Sequence, residues 1–266
     1  MHKNDWAASA QVTLFYNNRQ KRLQTICYAH LVVELKVVLF DLEGTLVKAW
    51  GPITIKELKN RTKSKLLELG IPSRILSRTD KFTIMLNAAT KYADNHFDPN
   101  RRRLFKIEFD KVLKAYEVSA AQNSVLFNET FRVLRELKKI GAILGIVTNT
   151  SREALEIILS KHSIGEFFQV AITREDVKQM KPNSEGIQLA LERLHRENDN
   201  FFFVGDSVFD VTAATNAKGI SILVCRNCSS KATKLANYTI QSLLEIPKIV
   251  NEIEYNEKKL LNTRDK

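Results

Sequence analysis

Three short apolar runs, each closing on polar residues, set the frame of this chain. Val37-Val38-Leu39-Phe40 ends in Asp41, Ala142–Val147 ends in Thr148-Asn149, and Phe201–Val204 ends in Gly205-Asp206. Continuous rather than alternating apolar runs of this length predict strands buried on both faces. Phe168–Ile172 and Ile220–Val224 predict two more. Helical patterns follow the runs: Thr150-x-x-Glu153 reads as a capping box opening a helix to about Lys161, and Val208–Ala217 follows the third run. Strands alternating with helices imply βαβ units and a mostly parallel sheet.

Residues 51–118 break the alternation. They predict helices over Ile55–Leu69, stopped by Gly70 and Pro72, then about Lys81–Asn95, then Pro99–Tyr116 with Asp98 as N-cap. A further helix, capped by Asn128 and carrying Phe131, Leu134 and Leu137 on one face, ends at Gly141. The expected organisation is an α/β core of residues 36–50 and 119–247, interrupted by a small all-helical domain over 51–118. Residues 1–35 show no sustained period and are expected to be a poorly ordered extension; a start assigned too far upstream is the alternative, although no internal methionine precedes the first clear strand to mark a better one. Residues 248–266 form the expected C-terminal tail.

Ligands of open parallel sheets bind outside the carboxyl ends of the strands. The polar residues closing the runs should therefore converge: Asp41 and Glu43 after the first, Thr148 and Asn149 after the second, Asp206 and Asp210 after the third, with Lys181-Pro182 in a loop between.

Asp41-Leu42-Glu43-Gly44-Thr45, Thr148-Asn149, Lys181-Pro182 and Gly205-Asp206-Ser207-x-x-Asp210 resemble, in order and spacing, the four motifs of the haloacid dehalogenase superfamily of phosphohydrolases. The resemblance runs from about Lys36 to Pro247. The helical insert is similar to the family's helical cap, placed after the first motif as in the phosphoglycolate phosphatase-like branch. It implies a Rossmann-like parallel sheet flanked by helices, with the cap closing over the substrate.

The residue chemistry agrees. Phosphate monoester hydrolysis is among the slowest uncatalysed reactions, needing rate enhancements of up to ~10²¹. A carboxylate nucleophile splits it into formation and hydrolysis of an aspartyl-phosphate, and Asp41 is placed for that role. A hard cation such as Mg²⁺ would screen the repulsion between two anions. Asp41, Asp206 and, by the resemblance, the Glu43 backbone carbonyl would hold it, with Asp210 as an additional partner. The Thr148 hydroxyl, the Asn149 N–H and the Lys181 ammonium suit the phosphoryl oxygens. By the resemblance, Glu43 would be the general acid/base. Most phosphatases of the family carry Asp there; Glu adds a methylene, as in the enolase-phosphatases, and its acid argues against a dehalogenase. The resulting expectation is Mg²⁺-dependent hydrolysis of a small phosphorylated metabolite, phosphoglycolate-like, with a phosphomutase, an enolase-phosphatase or a non-catalytic anion- or nucleic-acid-binding member as rivals.

Composition adds compartment and charge. With 44% apolar and 27% charged residues the chain can bury a sizeable core. No apolar run approaches the ~20 residues of a membrane span, which excludes a membrane-spanning protein. The three cysteines Cys27, Cys225 and Cys228, with no apolar secretion signal, make a reducing cytoplasm the expected compartment. Cys225-x-x-Cys228 has no second pair or nearby His and reads as incidental, the five histidines show no ligand spacing, and Trp50 reads as core or interface packing. The net charge of +11 favours anionic partners. A small phosphorylated metabolite is the expected one rather than nucleic acid, since no nucleic-acid module is recognisable; monomer and homodimer both fit. Residues 51–118 hold 15 Lys+Arg against 8 Asp+Glu, including Arg101-Arg102-Arg103, which either steer substrate over the site or form a solvated basic face.

Overall fold

A computed structural model describes residues 36–49, 51, 53–79, 81–197, 199–226 and 230–252. The expectations for residues 1–35, Trp50, Cys228 and most of the C-terminal tail lie outside the described residues.

The strands are β1 (Val37–Phe40), β2 (Val47–Lys48), β3 (Val125–Leu126), β4 (Ile143–Val147), β5 (Val170–Ile172), β6 (Phe201–Gly205), β7 (Ile220–Val224) and β8 (Tyr238–Ile240). The helices are α1 (Ile55–Glu68), α2 (Ser73–Leu76), α3 (Phe82–His96), α4 (Pro99–Gln122), α5 (Thr130–Lys139), α6 (Arg152–Lys161), α7 (Glu185–Arg193), α8 (Val208–Asn216) and α9 (Ser230–Leu235). Six strands form one parallel sheet in the order β5-β4-β1-β6-β7-β8, and β2 and β3 make a separate antiparallel pair. Every residue of β1 is buried, as its unbroken apolar run requires.

Successive β1 residues point to opposite faces. Val38 and Phe40 pack with Val133 and Leu137 of α5 and Leu155 and Ile158 of α6. Val37 and Leu39 pack with Ile187 and Ala190 of α7 and Ala213 and Ala214 of α8. Phe40 pairs with Ile146 on one side and Val204 on the other, so the residues following β1, β4 and β6 emerge side by side. The chain runs from β1 to β4 and β5, then returns to β6 across β1. That reversal opens the crevice in which such sheets bind ligands.

Helices α1 to α4 enclose a core of their own, built on Leu66, Met85, Leu86, Phe105, Phe109 and Leu113. Phe97, Phe105 and Phe109 continue it as ring pairs 5.9 and 5.6 Å apart. Asp98 caps α4 as expected, accepting from the N–H groups of Asn100 and Arg101 at 3.0 Å. Three local details differ from expectation. Helix α4 continues past Tyr116 to Gln122, because nothing in Val118–Ala121 breaks it. Helix α5 begins at Thr130 after Glu129, not on an Asn128 cap. Helix α6 is capped by Ser151, one residue beyond Thr150, with the Ser151 hydroxyl accepting from Ala154 N. Among the described residues no helix is long and apolar enough to cross a membrane.

Candidate active site

The turn after β1 is tight: Gly44 N donates to Val47 O at 2.8 Å with Gly44 at φ 84°, where a side chain is strained. A Cβ at Gly44 would also lie 2.2 Å from Asp206 Oδ2, so glycine lets the turn rest directly against that carboxylate. Asp41 is buried and tied to β6 by its N–H, which donates to Val204 O at 2.8 Å.

The buried Lys181 ammonium bridges two of the acids. Its Nζ donates to Asp41 Oδ1 at 2.5 Å and to Asp210 Oδ1 at 2.7 Å. The other Asp210 oxygen takes the Ser207 N–H at 3.0 Å and the Ser207 hydroxyl at 2.6 Å. Asp41, Asp206 and Asp210 each offer a carboxylate oxygen, all within 4.8 Å of one another. Three acids against one ammonium leave a negative excess. Burial, and then the charges of Asp210 and Asp206, push the Asp41 carboxyl well above its ordinary value, against the pull of Lys181. Burial and Asp210 likewise raise Asp206 from 3.8 to about 6. Burial alone would lower Lys181, but Asp210 and Asp41 outweigh it and hold the ammonium charged. Such an oxygen cluster can hold a hard cation, whose charge would relieve this repulsion.

Glu43 lies beside this cluster. Its Oε1 accepts from the Thr150 hydroxyl at 3.1 Å. Burial raises the Glu43 pKa, the Thr150 bond opposes it, and the charge of Glu117 adds to the rise. Asn149 turns its side chain to the loop: its Oδ1 accepts from Lys181 N at 3.0 Å and its Nδ2 donates to Lys181 O at 3.2 Å. Asn87 on α3 grips the preceding residue in the same way, with bonds of 3.0 and 2.9 Å to Met180 N and O. Two asparagines, one from the sheet and one from the helical layer, thus fix the lysine's main chain. Thr148 is buried, its hydroxyl accepting from Thr150 N at 3.2 Å.

All seven expected site residues, Asp41, Glu43, Thr148, Asn149, Lys181, Asp206 and Asp210, line one cavity of about 230 Å³. Its roof comes from Leu58 of α1, Phe82 and Leu86 of α3, and Leu113, Tyr116 and Glu117 of α4. Arg101 instead stacks over the Phe97 ring at 4.0 Å, and none of Arg101, Arg102 and Arg103 lines the cavity.

Three supporting residues escape sequence reading. Glu117 accepts from Ser151 N at 3.1 Å and takes two Arg174 bonds at 3.1 and 3.0 Å, while Arg174 also pairs with Asp110. This anchors α4 to the loops after β4 and β5. Arg226, just beyond β7, donates to Gly44 O at 2.6 Å and Thr45 O at 3.3 Å and lies 3.6 Å over the Phe127 ring. The only sequence signal for any of them is polarity in a loop or on a helix.

The parallel α/β sheet thus brings a buried aspartate, a buried lysine and an acidic cluster together at one crevice. Residues 38–224 match the family model of haloacid dehalogenase-like hydrolases, and the chain belongs to that family. A pyrophosphatase of Bacillus cereus is 37% identical over 195 residues, spanning 70% of this chain and 81% of that protein. A phosphoglycolate phosphatase of Photorhabdus laumondii is 29% identical over 188 residues, spanning 69% and 77%. The crystal structure of a phosphatase of this family from Thermococcus onnurineus superposes with a TM-score of 0.50 at 25% identity, covering 81% of this chain and 98% of that one.

Proposed function

We propose that this chain is a cytoplasmic, Mg²⁺-dependent phosphatase that hydrolyses a small phosphorylated metabolite through an aspartyl-phosphate on Asp41. The observation that carries the reading is the position of Asp41: at the end of the central strand, with Lys181 Nζ on one oxygen at 2.5 Å and Glu43 beside it in the same cavity. The names of the similar phosphatase and pyrophosphatase support phosphate chemistry.

In this reading one Asp41 oxygen forms the bond to phosphorus as the bond to the leaving oxygen breaks. Glu43, whose pKa burial raises, protonates that oxygen and then takes a proton from the water that cleaves the aspartyl-phosphate. The Thr148 hydroxyl, the Asn149 N–H and Lys181 steady the phosphoryl oxygens. Asp41, Asp206 and Asp210, with their oxygens within 4.8 Å, fit a divalent ion. When bound, Mg²⁺ would screen nucleophile from phosphate. Residues 51–118 act as the cap that roofs the site and excludes water.

Initial rates on an aryl phosphate, with Mg²⁺ and with EDTA, test the reading. Wild type should turn over only with Mg²⁺, and Asp41→Asn should lose at least about a thousandfold in kcat while keeping its fold. Absence of Mg²⁺-dependent turnover on that ester and on a panel of metabolite phosphates would remove the proposal.

A further inference from the structure

The cavity divides sharply by chemistry. Its floor holds Asp41, Asp206, Asp210, Glu43 and Lys181, and Lys181 is the only cation lining it among the described residues. That ammonium lies at the floor, directing two of its three N–H donors to Asp41 and Asp210. On the roof side the ionised group is again an acid: Glu117, which already takes two Arg174 bonds and the Ser151 N–H. Arg174 is itself 6% exposed and shared with Asp110 and Glu117, so it is not available to a ligand. The rest of the roof is Leu58, Phe82, Leu86, Leu113 and Tyr116, with the Thr83 hydroxyl among them.

The phosphoryl group of a bound ester belongs at the floor, beside Asp41, which puts the leaving group under the roof. A leaving group carrying a carboxylate or a second phosphate would there meet apolar side chains and the Glu117 carboxylate, with no cation among the described residues to pair it. Burying an unpaired charge is among the costliest things a site can ask. A cation held by Asp41, Asp206 and Asp210 lies at the floor and does not change this. Resting on the phosphatase reading above, we propose that the physiological leaving group is neutral and mainly apolar. The substrate class is then a small alkyl or aryl phosphate monoester, not phosphoglycolate and not pyrophosphate, although similar proteins carry those two names. The reaction is ROPO₃²⁻ plus water giving ROH and HPO₄²⁻, with the P–O bond to R broken and the proton placed on the departing oxygen. At about 230 Å³ the cavity suits a compact R, being below the ~300 Å³ at which sites for larger ligands begin.

The test compares n-propyl phosphate, phenyl phosphate, 2-phosphoglycolate and inorganic pyrophosphate with Mg²⁺ present. Propanol is no better a leaving group than glycolate, so a preference for propyl phosphate cannot come from leaving-group basicity. Its kcat/KM should exceed those of phosphoglycolate and pyrophosphate by at least about tenfold. Thr83→Lys, at a half-buried roof position, should move the propyl-to-phosphoglycolate ratio at least about threefold toward phosphoglycolate. Equal or better use of phosphoglycolate or pyrophosphate by wild type overturns the inference and leaves the phosphatase reading standing, as does an unchanged ratio in a folded Thr83→Lys. Turnover of none of the four overturns both.

Discussion

Asp206→Asn should stabilise the metal-free protein while abolishing its Mg²⁺ response. Asp206 titrates near 6 in the fold against an ordinary 3.8, because burial and the neighbouring Asp210 disfavour its charge more than Lys181 and Arg226 favour it. A carboxyl whose folded value is raised contributes stability that is complete below the unfolded value and is lost as pH rises through the folded one. Each pH unit between 3.8 and about 6 is worth about 1.4 kcal/mol, so at pH 7.5 the charged Asp206 costs the fold about 3 kcal/mol. Asparagine keeps the shape of the protonated acid at every pH and escapes that cost. At roughly 2–4 °C per kcal/mol for a fold of this size, the variant should melt about 6–12 °C higher in EDTA at pH 7.5. The gain should shrink steadily toward pH 4. Adding Mg²⁺ should raise the wild-type midpoint and leave the variant's nearly unmoved, since only the wild type keeps the full cluster. Thermal unfolding of both proteins at several pH values, with EDTA and with Mg²⁺, provides the measurement. A variant less stable than wild type at pH 7.5 in EDTA, or a gain that does not vary with pH, would refute the reasoning.

Further variants probe the supports of the site. Asn149→Ala removes both side-chain bonds to the Lys181 main chain and should cost about 1–3 kcal/mol in chemical denaturation, with a larger effect on kcat than on KM. Arg226→Ala releases the Gly44 and Thr45 carbonyls and should lower kcat at least about tenfold with little change in KM, and Arg226→Lys should recover only part, because one ammonium cannot span both carbonyls and stack on Phe127. Glu117→Gln breaks the charge pairing with Arg174, which keeps Asp110 as a partner, and should cost about 2–3 kcal/mol in a denaturant melt. Glu117 also raises the Glu43 pKa, so the alkaline limb of kcat should move to lower pH in that variant; a limb that stays in place would separate Glu43 from the acid step.

What the sequence reveals follows from how each element is held. Strands β1, β4 and β6 are readable because sheet neighbours and helices bury them on both faces, which demands unbroken apolar runs ending where the site begins. Strands β2, β3 and β8 are two or three residues long and carry exposed positions such as Lys48, Val125 and Tyr238, so they leave no periodic trace. Thr150 and Ser151 are adjacent hydroxyl residues equally suited to capping α6. In the fold Ser151 takes the cap, and the Thr150 hydroxyl donates to Glu43, 107 residues away. The Arg226 grip on Gly44 spans 182 residues and the Arg174 pairing with Glu117 spans 57, beyond the reach of any local pattern. Asp41, Thr148, Asn149 and Asp206 are visible because they close apolar runs at strand ends; the residues that aim them are not, because only the fold brings them there.

The net charge gains a different meaning once its location is known. Of the +11, residues 51–118 contribute 15 Lys+Arg against 8 Asp+Glu, yet among the described residues none of these cations lines the cavity. Lys65 reaches Glu68 and Glu108, Lys106 and Arg102 reach Asp94, and Lys114 reaches Asp110, Glu153 and Glu175. A basic exterior above an acid-floored, apolar-roofed cavity separates attraction from selection. The exterior field hastens the arrival of any phosphate, and more so for a more highly charged one. The cavity rejects charge on the leaving group. These two effects oppose each other for phosphoglycolate and differ in their response to salt, because the exterior field is screened within about 8–10 Å at 0.1–0.15 M while buried contacts are screened far less. Raising ionic strength should therefore increase the propyl-to-phosphoglycolate ratio of kcat/KM. A ratio that falls with salt would place the discriminating charges on the surface instead of in the cavity.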